Sequence, residues 1–170
     1  MKIYKNILNK KQKIFLNNIF AGEKTPFYLA TYAVKENDQG YHFVHHAIHR
    51  NNLNVDNSEL AQSLRKLLSE LAPKLKINYT KIYRCALNIT FYNGFVNKCL
   101  THEDHPFDHK QILIYLNDAD GETVILDKQG VKEIKKIKPE AFKILIMDRR
   151  NHYQFFPTKG IRKVLIYTID

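Results

Sequence analysis

Cysteine is scarce in this chain, with two residues, Cys85 and Cys99, in 170. That excludes a disulfide framework. Their spacing fits neither a Cys-x-x-Cys redox motif nor a zinc knuckle, so both read as free thiols. Long apolar runs are also lacking. No stretch approaches the roughly 18–20 residues that span a bilayer, and charges scattered through positions 1–15 leave no signal-peptide core. The expectation is a cytoplasmic protein without a membrane partner. No internal repeat, low-complexity tract or Pro/Ser-rich linker divides the chain. Acidic residues are the minority, 17 against 27 Lys and Arg, giving a formal charge of +10. This balance favours acidic partners such as nucleic acid, yet the basic residues form no dense block and suit a solvated surface better than a binding face.

What is present suffices for one core: 44% of residues are hydrophobic and 12% aromatic, in a chain of ordinary single-domain length. One domain is expected over 1–170, with 1–78 as a helical and hairpin support and 79–170 as a β-rich core. Asn9 to Phe20 sets Ile14, Phe15, Ile19 and Phe20 on one side of an amphipathic helix ended by Ala21-Gly22. Pro26–Val34 and Tyr41–Arg50 read as a hairpin around the turn residues 36–40, followed by a loop at Asn51-Asn52-Leu53-Asn54. Asn57 to Leu75 repeats leucine at helical spacing behind cap candidates Asp56, Asn57 and Ser58, with Pro73 ending its regular part. After Tyr79 come short β-rich runs at 81–92, 111–117, 123–127, 131–137, 142–148, 152–156 and 161–169. Two helices followed by many strands give an α+β, mainly β domain in which helices brace an antiparallel sandwich or barrel.

The densest polar cluster is Thr101-His102-Glu103-Asp104-His105-Pro106-Phe107-Asp108-His109. In extended backbone, residues two apart share a side, so His102 and Asp104 can grip one metal ion together. Such a pair needs a distant third ligand. His152 begins a later strand, and Arg162 begins the next one after the turn 157–160. If that turn closes a hairpin, Arg162 lies about 10 Å along the ladder from His152. Two histidines and a carboxylate leave open positions on Fe(II), and a guanidinium at that distance suits the far carboxylate of a small dicarboxylate.

From Cys85 to Asp170 the sequence resembles the Fe(II)/2-oxoglutarate-dependent oxygenases, and within them the prolyl 4-hydroxylase-like branch. The resemblance rests on ordered motifs: His102-x-Asp104, Ile114-Tyr115-Leu116-Asn117, Gly121-Glu122-Thr123, Ile137-Lys138-Pro139, Asp148-Arg149-Arg150-Asn151-His152, then Arg162. The Tyr-Leu-Asn and Asp-Arg-Arg-Asn runs look most like the oxygen-sensing prolyl hydroxylases and their bacterial and viral relatives. The resemblance implies a double-stranded β-helix, or jelly roll, with helices on its larger sheet. It implies Fe(II) on His102, Asp104 and His152, and 2-oxoglutarate bound by Arg162 with Tyr115, Tyr92 and Thr123 or Val124. O2 is the oxidant, and ascorbate is an optional reductant. The implied reaction hydroxylates a C–H bond, here of a prolyl residue in a protein or peptide, with release of succinate and CO2.

Other readings stand beside this one. His105, Asp108 and His109 are substitute ligand candidates. Arg149 and Arg150 either contact substrate or orient the loop before His152. His42, His45, His46 and His49 have no accompanying carboxylate and read as packing or surface histidines. Cys99 lies three residues before His102 and reads as a buried thiol. Oxidative demethylation of alkylated nucleic acid fits the charge, but its usual second arginine beyond Arg162 is missing. A catalytically silent jelly-roll binding module is the third reading.

Overall fold

The period-two patterning of the second half becomes antiparallel strands, and the leucine repeat becomes a helix. The computed structural model describes residues 1–21, 25–36, 38–50, 55–92 and 94–170. The expected loop at 51–54 lies outside the described residues, as do Gly22 and Asn37 of the expected helix stop and hairpin turn. In chain order the elements are β1 (Lys2–Tyr4), α1 (Lys10–Ala21), β2 (Tyr28–Ala30), β3 (His42–Ile48), α2 (Leu60–Leu75), β4 (Ile82–Phe91), β5 (Lys110–Tyr115), β6 (Thr123–Leu126), β7 (Glu133–Ile137), β8 (Ile144–Asp148), β9 (His152–Gln154) and β10 (Ile161–Ile169). No helix among them is long and apolar enough to cross a membrane.

Seven strands form one sheet in the order β1-β8-β5-β10-β4-β3-β2, and three form a second, β7-β6-β9. Isolated bridges from Lys98 to Phe155 and from His102 to His152 set the segment 98–102 beside β9. From β4 onward the chain therefore passes back and forth between the sheets, with β4, β5, β8 and β10 in the large one and β6, β7 and β9 in the small one. This winding is consistent with a jelly roll. Along β10, Leu165, Tyr167 and Ile169 face α2, packing with Leu64, Leu68 and Leu71. The Tyr167 hydroxyl donates to the Leu64 carbonyl at 2.9 Å. The alternate residues Val164 and Ile166 meet Leu113, Met147, Ile125 and Ile137 in a second core between the sheets. Each side chain so buried stabilises the fold by about 1.5–3 kcal/mol.

Three expectations need correction. Pro73 lies inside α2, which runs on to Leu75. The hydrogen bond it cannot donate would reach the carbonyl of Ser69, an exposed residue that water can serve. The helix ends at Lys76 in a left-handed conformation (φ 53°), where the amides of Lys76 and Ile77 bond the Pro73 and Ala72 carbonyls. None of Asp56, Asn57 or Ser58 caps its start; the N-cap is Glu59, without a side-chain bond. Lastly, β9 and β10 belong to different sheets, so turn 157–160 is a crossover and no hairpin ladder joins His152 to Arg162. Its turn residues mark a reversal but carry no information about which sheet the chain enters next. The three-residue β1, paired with β8, was not expected.

Candidate active site

His102 and His152 form a mutual antiparallel pair: each amide donates to the other's carbonyl at 3.0 Å. Such a pair sets both side chains on the same side, and their ring centroids lie 4.5 Å apart. Asp104, two residues on, shares that side. Ligand atoms of His102, Asp104 and His152 all lie within 4.8 Å of one another. Backbone carbonyls fix both rings, since Nδ1 of His102 bonds Leu100 O and Nδ1 of His152 bonds Arg150 O, each at 2.9 Å. With Nδ1–H donating, Nε2 of each ring carries the free lone pair, the usual outer-shell arrangement for a metal-binding histidine.

Asp104 is divided in its use of oxygens. Oδ1 accepts from Arg84 at 3.2 Å and from Arg50 at 3.5 Å, whereas Oδ2 is buried with no hydrogen-bond partner. Burial alone would raise the Asp104 pKa, but Arg84, His152, His102 and Arg50 together hold the carboxyl well below its usual range. His152 is pushed down to about 4 by burial and then by its neighbour His102. The group thus offers an uncharged His152 ring and an ionised Asp104 carboxylate, protonation states that metal binding requires.

Arg162 is 1% exposed. One guanidinium nitrogen, Nη2, donates to Thr123 Oγ1 at 2.9 Å, and Nη1 donates to Gln154 Oε1. Tyr115 also donates to Thr123 Oγ1 at 2.8 Å, and its ring centroid lies 5.4 Å from the guanidinium carbon. Among the described residues no carboxylate pairs with Arg162, and its Nε has no partner. A buried guanidinium left this way is costly unless an anion joins it. Gly121 makes the approach possible, since a Cβ there would stand 2.7 Å from Phe155 O and 3.3 Å from Arg162 Cδ. Thr123 and Gln154, both bonded to Arg162, line one cavity of about 60 Å³ with His102, Asp104 and His152.

Not every expected residue arrives there. Tyr92 is 54% exposed, one residue past β4, and does not line the cavity. Asn93, the next residue, lies outside the described residues. Val124 faces the outer core with Tyr153 and Phe156. Arg149 reaches outward to Glu103, with Nη2 at 2.8 Å, and Arg150 contributes its carbonyl to the His152 ring. His105 stacks on Phe107 and His109 bonds the Phe107 carbonyl, which keeps both apart from the three-residue group. Asp108 is likewise no part of that group. Cys99 lines the cavity, but burial pushes its thiol up to about 11. His42 does line the cavity, with Nδ1 bonded to the Gly40 carbonyl, whereas His45 bonds the Pro26 carbonyl and His46 packs on His49.

No protein-family model matches the chain. No curated protein matches it in sequence. Solved structures do match in shape. A 2OG-Fe(II) oxygenase family oxidoreductase from Burkholderia pseudomallei superposes with a TM-score of 0.77 at 16% identity, over 98% of this chain and 83% of that one. The chain has the fold of the 2OG-Fe(II) oxygenases. A prolyl hydroxylase from Trichoplax adhaerens, in complex with a hypoxia inducible factor peptide fragment, matches this oxygenase fold at TM-score 0.63 and 19% identity, covering 99% and 83% of the two chains. The epimerase SnoN, in complex with Fe3+, alpha ketoglutarate and nogalamycin RO, does so at 0.63 and 10%, covering 99% and 78%.

Within the oxygenase fold, sequence reasoning missed Arg84, Arg50, Asn88, Gln111 and Gln154, all of which line the cavity. A signal existed in β4, where Arg84, Asn88 and Thr90 alternate with the apolar Cys85, Leu87 and Ile89. A polar period of two in an otherwise apolar strand marks an interior polar face.

Proposed function

We propose that this protein is an Fe(II)- and 2-oxoglutarate-dependent dioxygenase that hydroxylates a prolyl residue of a protein or peptide. The observation that carries the reading is the buried Arg162, without a carboxylate partner, beside a cavity holding three convergent metal-type donors. These residues fit the group they would hold. Nε2 of His102, Nε2 of His152 and the unpartnered Oδ2 of Asp104 are the free donor atoms for Fe(II). Arg162 and the Tyr115–Thr123 hydroxyl pair suit the distal carboxylate of 2-oxoglutarate by charge and hydrogen bonding. When bound, iron with 2-oxoglutarate and O2 supplies the oxidising power, and the co-substrate leaves as succinate and CO2.

The chain's own part is placement. Carbonyls of Leu100 and Arg150 hold each imidazole through Nδ1, which leaves Nε2 as the atom free to ligate. Arg84 keeps Asp104 ionised and turned. Leu113 and Ile166 give the otherwise polar cavity wall an apolar part. Resemblance to prolyl hydroxylases in motif, and likeness to one in fold, support the prolyl substrate.

The test is an anaerobic titration of metal-free protein with Fe(II) and then 2-oxoglutarate, following the visible metal-to-ligand charge-transfer band. Wild type should give the band and Asp104→Ala should not. Absence of the band in iron-loaded wild type overturns the reading in favour of a binding module. Succinate formation is then compared with proline-containing peptides and with methylated single-stranded oligonucleotides. Stimulation by oligonucleotides alone would replace the prolyl substrate by alkylated nucleic acid.

A further inference from the structure

The large sheet's inner face carries a second buried cationic position, at the other end of β10 from Arg162. Arg162 pairs in register with Thr90, and Thr168 pairs with Arg84. From 162 to 168 the strand advances about 20 Å. Arg84, Thr168 and Gln111 stand side by side on β4, β10 and β5, and all three are buried. Arg84 Nε and Thr168 Oγ1 have no hydrogen-bond partner. Arg50 joins Arg84 at the cavity wall, with its side chain 37% exposed.

Charge makes this end of the cavity unusual. The ion pairs of Arg84 and Arg50 both finish on one oxygen, Oδ1 of Asp104. Among the described residues no other carboxylate pairs with either guanidinium. Asp104 is also the only carboxylate in the three-residue metal group, so its charge is shared again once a divalent cation binds. Two guanidiniums then face the cavity with less than one carboxylate between them. Arg162, bonded to Thr123 and Gln154, already serves the co-substrate's distal carboxylate in the reading above.

We propose that Arg84 and Arg50 form a carboxylate-binding subsite for the substrate, so that the oxidised residue is presented next to a negative charge. The inference rests on the oxygenase reading and deepens it. A carboxylate meeting Arg84 Nε and Arg50 would satisfy the unpartnered donor and restore the charge balance. Two sources share this chemistry: the α-carboxylate of proline itself, and an Asp or Glu side chain beside a proline in a peptide.

The test uses matched pairs: L-proline against L-prolinamide, and an Asp-Pro peptide against its Asn-Pro counterpart. Succinate formation above the substrate-free rate is measured with iron-loaded wild type, Arg50→Gln and Arg84→Lys, and 2-oxoglutarate affinity is read separately from the charge-transfer band. In at least one pair the acidic member should exceed its neutral partner at least tenfold in kcat/KM. The pair that responds identifies the source. Arg50→Gln should raise KM for the acidic member and erase the preference, lowering kcat/KM less for the neutral partner, and Arg84→Lys should keep part of it. Equal response within both pairs, including no response, overturns the subsite while a normal band leaves the oxygenase reading standing. An Arg50→Gln variant that lowers kcat/KM equally for both members of a pair also overturns it, because Arg50 would then act only through Asp104. Absence of the band in wild type removes both.

Discussion

At Thr123 a single hydroxyl oxygen accepts two hydrogen bonds, from Tyr115 and from Arg162, both fully buried. Thr123→Val keeps the side-chain shape and removes that acceptor. Leaving a buried donor unsatisfied costs about 1–3 kcal/mol, so the variant should unfold at lower urea concentration by roughly that free energy. The Tyr115 hydroxyl and Arg162 would also lose their alignment, so 2-oxoglutarate should bind more weakly in the charge-transfer titration; unchanged affinity would remove Thr123 from the pocket. The candidate residues were legible because their types are restrictive: the structure brings His102, Asp104 and His152 together, and bonds Arg162 to Thr123 and Gln154 of the same cavity wall, although 60 positions separate the first from the last. Arg84 and Gln154 were not. Each looks like an ordinary strand residue until its partner across the cavity is known, and those partners are set by tertiary contact. Tyr92 illustrates the reverse, since a position near the end of a strand by count gives no information about which way the chain turns afterwards.

Strands and helices were read well where periodicity is long, as in α2 with its leucines and β10 with its alternation. They were read poorly where an element is short or its end depends on solvent. The three residues of β1 carry no period, and β1 exists only because β8 offers an edge. The end of α2 shows the same limit and gives a test. Lys76 adopts a left-handed backbone that costs a non-glycine residue roughly 1–2 kcal/mol. Glycine adopts it freely but gives the unfolded chain more entropy. Lys76→Gly should therefore stabilise by a net of about 0.5–1 kcal/mol, read as a shift in the urea midpoint at constant slope. Destabilisation would mean that the Lys76 side chain holds the turn in some other way.

Across the whole molecule, acid sensitivity follows from histidines kept neutral inside a chain of net charge +10. His46 on β3 is the clearest case. Burial first, then the charges of Arg84, His49 and Arg50, push it down to about 3, and its Nδ1 is buried without a partner. The unfolded chain takes up a proton at this site near pH 6.5, whereas the folded protein does so only near 3. Within that window the unfolded state binds more protons, so stability falls as the pH falls, by at most about 1.4 kcal/mol per pH unit for one group. Depressed carboxylates act in a separate range. Against the raising effect of burial, hydrogen bonds from Thr80 and Lys81 pull Asp170 down to about 2, so its contribution is lost only as the pH falls below about 4. Measured without metal between pH 7 and 5, melting temperature should drop in wild type and drop less in His46→Gln, which cannot take up the proton in either state. Equal slopes would show that His46 titrates normally in the folded protein and that the buried, uncharged ring is not what limits stability in acid.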